Sequence, residues 1–103
     1  MRIIKELSKR IKEELHDAQW YAKAALEHKA DHADIAETYY RLAKDEMGHA
    51  TMLHGNVVNL IRKASTEKTV PPAMKEIWEW QHAEIVEEEA ETKRLIDLYG
   101  SYA

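Results

Sequence analysis

Glu46 and His49 are the residues of this 103-residue chain whose types and spacing most directly suggest chemistry. Residues three positions apart lie on the same face of an α-helix, so this carboxylate and this imidazole can bind one metal ion. Both fall where the apolar face of their helix is expected. A buried carboxylate needs a cation, a hydrogen-bond network or a metal to offset its desolvation. The pair alone is a common helical motif, and it predicts a metal site only together with a further ligand.

A second carboxylate, Glu14, lies in the middle of another apolar stripe. That stripe consists of Ile4, Leu7, Ile11, Glu14, Ala18, Tyr21 and Ala25. Its alternating steps of three and four residues are those of a helix that faces a partner helix. We therefore predict a first helix over about residues 2–29, with Glu14 as the one charge on its inner face.

Two further helices are predicted, over about 32–64 and 72–99. The stripe of the second consists of Ile35, Tyr39, Leu42, Glu46, His49, Leu53, Asn56 or Val57, and Leu60, and that of the third of Met74, Trp78, Gln81, Ile85, Glu88, Thr92, Leu95 and Tyr99. Asp31 is the expected N-cap of the second helix, and Pro72 suits the first turn of the third. Residues 65–71 form a loop.

The turn near Asp31 aligns the candidate ligands. Two long helices joined by a short loop pack antiparallel. Glu14 lies 17 positions before residue 31 and Glu46 lies 15 after it, so the two carboxylates meet at nearly the same height. His49 is one turn farther on, and the hairpin brings all three ligands to one point.

The amino-acid composition argues against several kinds of site and partner. The chain has no Cys, so thiolate ligands, iron–sulfur clusters and disulfides are excluded. Its formal charge of −4 without a basic stripe argues against nucleic acid as a partner. There is no apolar run of about 18 residues and no recognisable secretion signal, so we expect a single cytoplasmic domain over 1–103 that does not enter a membrane.

These motifs resemble those of the ferritin-like superfamily. In its bundles, a dinuclear site takes one Glu from each of two helices and a Glu-x-x-His from each of the other two. Glu14 with the string Asp45–His49 corresponds to half of that set. The closer likeness is to the encapsulated ferritins, short half-ferritins whose Glu-Glu-Leu-x-x-x-x-Trp-Tyr string here reads Glu13 to Tyr21.

The resemblance implies an all-α fold in which the hairpin and a third C-terminal helix complete a four-helix bundle by dimerisation. It implies two iron ions per dimer interface, bound by Glu14, Glu46 and His49. Tyr21 becomes a partner beside the ligands, although a packing role is the alternative. Larger even-numbered rings and an enclosing nanocompartment shell are further implied partners. Manganese and zinc also accept this ligand set.

Three further residues are candidates for the surroundings of the site: Glu13, His16 and Asp45. The likeness makes Glu13 and position 16 an outer iron site, but His16 stands where those proteins tend to have an acid, and a solvent-facing His is the alternative. Asp45 is expected to orient an imidazole, as carboxylates commonly do for ligating histidines. The tail from Leu98 onward does not look like a shell-docking peptide, and the third helix is longer than theirs.

The sequence therefore predicts a di-iron ferroxidase or iron-storage protein that uses O2 or peroxide. One alternative is a rubrerythrin-like, peroxide-reducing di-iron protein. The other is a non-catalytic helical interaction module in which the buried Glu and His residues form only a polar network. Glu88 is expected on a solvated acidic face, Trp20 in an oligomer contact, and four histidines at the surface: His28, His32, His54 and His82.

Overall fold

The computed structural model describes residues 2–67 and 70–101, and it contains three helices. They are α1 (Arg2–His28), α2 (Ala33–Ser65) and α3 (Pro72–Ser101). The all-helical prediction is confirmed, since no strand occurs in the described ranges, and each predicted helix end lies within two residues of the observed one. Lys68 and Thr69 of the predicted loop, and Met1, Tyr102 and Ala103 at the ends, lie outside the described residues.

α1 and α2 form an antiparallel hairpin through a short turn. The His32 N–H donates to the His28 carbonyl at 2.9 Å, so the turn continues for one more residue before α2 begins at Ala33. The predicted N-cap was wrong for this reason: His32 holds that position, its side chain makes no cap hydrogen bond, and Asp31 is exposed. Asp34 lies in the first turn, where its negative charge suits the helix dipole.

α2 packs on a seam of small residues rather than on the predicted stripe. Its buried residues recur every seven positions: Ala36, Ala43, Ala50, Val57 and Ala64. Ile35, on the predicted stripe, is 49% exposed. By helical periodicity the buried face is displaced from the predicted one by about a quarter turn. The alanines present little bulk, so the neighbouring helices can approach α2 on this side, and the larger side chains are left beside it.

α3 fills one of the two grooves of the hairpin. Its buried side chains are Trp78, Ile85, Thr92, Leu95, Ile96 and Tyr99. Trp78 and Ile85 join Ile4, Ile11 and Leu15 in the largest core cluster. Polar contacts fix the register of α3 on α1, because Lys12 Nζ donates to Glu84 Oε2 at 2.6 Å and Gln19 Nε2 donates to Glu88 Oε2 at 2.8 Å.

None of the three described helices covers the other groove, and we call it the open groove. It is lined by Leu7, Glu14 and Tyr21 of α1 and by Leu42, Glu46, His49 and Leu53 of α2. All of these except the exposed His49 are only partly buried. On α1 and on α2, these residues are the part of the predicted stripe that α3 does not cover. The candidate ligands therefore lie on the side of the hairpin opposite the third helix. Within the described residues, no helix is long and apolar enough to cross a membrane.

The core cluster gives a direct test of this packing. Ile11 is fully buried, so Ile11→Ala removes buried methyl groups and leaves a cavity, and we expect it to lower the free energy of unfolding by about 2–5 kcal/mol. Ile77, which is 51% exposed on α3, provides the matched control, and Ile77→Ala should change it by less than about 0.5 kcal/mol. Urea unfolding followed by circular dichroism measures both. Equal losses would contradict the packing described here.

Candidate metal centre

Glu14, Glu46 and His49 come together across the open groove, as the hairpin alignment predicts. His49 Nδ1 lies 3.5 Å from Glu14 Oε2 and 4.0 Å from Glu46 Oε2. One ligand atom from each residue lies within 4.8 Å of the other two. Among the described residues, this is the one group of three or more carboxylates and imidazoles that meets so closely.

The burial of the three side chains is graded. Glu14 is 12% exposed, Glu46 23% and His49 53%, so the carboxylates form the floor of the site and the imidazole its rim. Glu14 extends from α1, whereas Glu46 and His49 come from successive turns of α2. A ligand entering the open groove from solvent would meet His49 first.

The two carboxylates are electrostatically coupled. A proton shared with Glu14 raises the pKa of Glu46 to about 7, and burial and repulsion by Glu14 act in the same direction. The same shared proton lowers the pKa of Glu14, assisted by His49 and Arg10. The site thus holds an extra proton at a point where a cation would neutralise the same pair of charges.

The donor set fits a divalent transition metal. Glu14 Oε2 is buried, makes no hydrogen bond that meets the geometric limits, and lies 3.5 Å from His49 Nδ1, so loss of the proton shared with Glu46 leaves this oxygen available to a cation. Carboxylate oxygens and an imidazole nitrogen suit Fe(II), Mn(II) and Zn(II). Three protein ligands leave several coordination positions unfilled, and a second set of the same ligands would have to come from outside this chain.

Arg10 occupies the region where an outer metal site was expected. Its guanidinium donates to Glu13 Oε2 and to Glu14 Oε1, each at 3.1 Å. His16 instead points to α3, with Nε2 3.9 Å from Glu88 Oε2. The structure therefore does not bring Glu13 and His16 together, and Glu13 is neutralised by a cation of its own helix.

Tyr21 lies in the open groove, one α1 heptad from Glu14. Its ring stacks on Tyr39 with centroids 6.0 Å apart, and Trp20 packs edge-on against both rings. Among the described residues, no hydrogen bond joins Tyr21 to the three ligands. Asp45 is exposed and makes no described contact with an imidazole. The aromatic cluster therefore forms an apolar wall beside the site.

Glu88 lies outside the site. It accepts a hydrogen bond from Gln19 on the α1–α3 side of the bundle, in the groove that α3 fills. That side is separated from Glu14 and Glu46 by the body of the hairpin. Glu88 therefore positions α3 through α1 rather than joining the three ligands.

Three of the four histidines expected at the surface are partly buried, namely His28, His54 and His82, and His32 is exposed. The side chain of His54 is only 14% exposed, and its Nδ1 lies 2.7 Å from Glu89 Oε1. The signal was the alanine seam, because residue 54 follows Ala50 by one turn on the buried side of α2. The chain has two Glu-x-x-His steps besides Glu46–His49. Glu13–His16 was considered only as an outer iron site, and Glu79–His82 was passed over.

Comparisons of the chain with protein-family models, with curated proteins and with solved structures find no match. Its chemistry is therefore argued from the residues and their geometry.

The shared proton predicts how stability depends on pH when metal is removed. The pKa of Glu46 is about 7 in the folded protein, against an ordinary value of 4.5, so between these values the folded state binds more protons than the unfolded state. The resulting stability is complete below about pH 4.5 and is lost as pH rises through about 7. The lowered pKa of Glu14 acts in the opposite sense, but only below its ordinary value.

We therefore expect the melting temperature to fall between about pH 5 and about pH 8 in the presence of a chelator. Glu46→Gln should remove most of that fall, because an amide donates to Glu14 at every pH without ionising. Glu6→Gln, at an exposed acid of α1, should retain it. The same pH dependence in both variants would show that Glu46 does not carry the shared proton.

Proposed function

We propose that this protein is a ferroxidase in which two chains each contribute Glu14, Glu46 and His49 to one dinuclear iron site. The observation that carries the proposal is the convergence of these three ligands on the open groove. Fe(II) is the substrate, and two ions give up one electron each. The two electrons pass either to O2, which takes up two protons and becomes hydrogen peroxide, or to hydrogen peroxide, which takes up two protons and becomes two molecules of water.

The open groove supports a second copy of the chain as its occupant. One chain supplies three ligands, which is half of a carboxylate-bridged dinuclear set, and a two-fold axis through the groove would double each of them. Leu42 and Leu53 in the same groove are only partly buried, so a partner hairpin would cover apolar surface and ligands together.

The residues of the site have distinct tasks in this proposal. Glu14 and Glu46 lie close enough for their oxygens to bridge neighbouring ions, and loss of their shared proton on binding leaves two anionic carboxylates to balance the cations. His49 adds a nitrogen ligand at the rim. Arg10 holds the outer oxygen of Glu14, which leaves the buried oxygen to face the metal.

Removing the Glu14 carboxylate tests the ligand assignment. We expect Glu14→Ala to reduce Fe(II) oxidation to the rate of Fe(II) in buffer and to bind less iron than about two ions per two chains, because a ligand is lost from each half of the site. Stopped-flow absorbance measures the rate and anaerobic Fe(II) loading followed by metal analysis measures the stoichiometry. Circular dichroism should show unchanged helicity.

Glu6→Ala is the matched control, since Glu6 is an exposed acid on the same helix, and it should leave oxidation unchanged. Full oxidation by Glu14→Ala would exclude the assignment. Failure of the unaltered protein to bind iron after anaerobic loading would instead favour a non-catalytic helical module, in which Glu14, Glu46 and His49 form only a polar network.

A charge placed in the open groove tests whether the site depends on dimerisation. Leu42→Glu adds an acid to the groove without altering a ligand, so we expect a shift from dimer to monomer in sedimentation velocity and a parallel loss of oxidation. Ile77→Glu, at an exposed position on α3, should affect neither. A monomeric Leu42→Glu variant that oxidises iron at the normal rate would show that one chain suffices.

The oxidant separates two related activities. Fe(II) loaded anaerobically can be mixed with O2 or with hydrogen peroxide in the same stopped-flow instrument. Faster reaction with O2 supports a ferroxidase. Reaction with peroxide alone, with repeated turnover of peroxide once an external reductant is added, would point to a rubrerythrin-like peroxide-reducing protein.

A further inference from the structure

His54 connects α2 to α3 on the side of the hairpin opposite the open groove. Residues five positions apart on a helix point roughly 140° apart, so His54 faces away from His49 on the same helix. Its Nδ1 lies 2.7 Å from Glu89 Oε1, and 14% of its side chain is exposed. The pair therefore links the two helices through a largely buried contact that is separate from the candidate iron site.

One nitrogen of His54 has no partner. Its Nε2 is buried from solvent and makes no hydrogen bond. Because an ionised carboxylate only accepts, Nδ1 carries the proton donated to Glu89, and in the neutral ring Nε2 keeps its lone pair. A buried acceptor without a donor costs free energy unless another group binds it. A carboxylate that fixes one imidazole nitrogen while the other is left unused is the arrangement commonly found at metal-ligating histidines.

A second imidazole lies beside it. The rings of His54 and His82 have centroids 4.9 Å apart and an interplanar angle of 49°. With metal–nitrogen distances of about 2.1 Å and tetrahedral geometry, two imidazoles on one ion have ring centres roughly 5 Å apart. The observed spacing of the ring centres therefore fits two imidazole ligands of one metal ion.

The surroundings supply space and further donors. His82 and Glu79, one turn apart on α3, line a cavity of about 220 Å³ together with Arg62 and Trp78. Glu79 does not lie within the close ligand distances seen at Glu14, Glu46 and His49. His54 does not line this cavity, so the room for water ligands and for a carboxylate from Glu79 lies on the His82 side of the pair.

We propose that His54 and His82 form a second metal site, which binds a divalent transition-metal ion between α2 and α3, with Glu89 as the positioning residue of His54. Two imidazoles favour ions that prefer nitrogen, such as Zn(II), Cu(II) and Ni(II), over Mg(II) or Ca(II). An ion bound there joins the two helices and stabilises the docking of α3. The site does not depend on the proposed iron chemistry.

Zinc titration of the full-length His49→Ala variant tests the proposal, because this background removes the imidazole of the other site. We expect one Zn(II) per chain by isothermal titration calorimetry. Adding His54→Gln or His82→Gln should abolish that binding, and adding Glu89→Gln should weaken it by about 10- to 100-fold. Adding His32→Gln, at an exposed histidine of the hairpin turn, should leave it unchanged.

Substitution of His54 could disturb the packing of α2, whereas His82 lies on the wall of the cavity, so His82→Gln tests the ligand role with the His54–Glu89 contact intact. Co(II) provides an independent readout, and its visible absorption should disappear with His82→Gln. The proposal fails if His49→Ala binds no zinc, if zinc binding survives both His54→Gln and His82→Gln, or if His32→Gln removes it.

Discussion

The main physical constraint on this structure is a pair of carboxylates that face each other at the inner side of a helix hairpin. Glu14 and Glu46 occupy positions where the periodicity of α1 and α2 calls for apolar residues, and their charges cannot both be accommodated without compensation. In the metal-free protein the compensation comes from a shared proton and from Arg10. The shared proton is replaceable by a cation, because its loss leaves the buried oxygen of Glu14 available, whereas Arg10 binds the outer oxygen. The polar floor is thus tolerated by the fold and suited to metal.

The alanine seam of α2 explains why this floor is accessible. Ala43 and Ala50 are buried between the helices, and α3 adds its larger side chains on that side. The bulk of the core therefore comes from α1 and α3, around residues such as Leu15 and Ile85. The side of α2 that carries Leu42 and His49 is not covered by α3. Glu46 lies on that side, and Glu14 of α1 faces it across the open groove, so it can serve another function.

Much of this arrangement could be predicted from the sequence because it rests on periodicity and length. The steps of three and four gave the helices, and equal distances from the turn gave the meeting of Glu14 with Glu46. The exact burial of α2 could not be predicted in this way, since alanine is small enough to fit either a core or a surface. Large residues such as Ile35 dominated the predicted stripe, while the position of α3 determined which face was covered. His54 was misplaced for the same reason, because its burial depends on a tertiary contact with Glu89.

The three Glu-x-x-His steps of the chain show why such a motif has no meaning without its surroundings. Glu13 pairs with Arg10, and His16 turns to α3, so the first step is divided between two contacts. Glu46 and His49 lie beside Glu14 of α1, and their i,i+3 spacing then places all three side chains in one group of candidate ligands. In the third step, His82 packs against the imidazole of His54, whose Nδ1 is held by Glu89. The spacing is the same each time, and the group presented by the neighbouring helix decides the chemistry. A side chain on one helix becomes part of a metal site only where a second helix places another ligand atom beside it. That second ligand atom must also be shielded from hydrogen bonds with water.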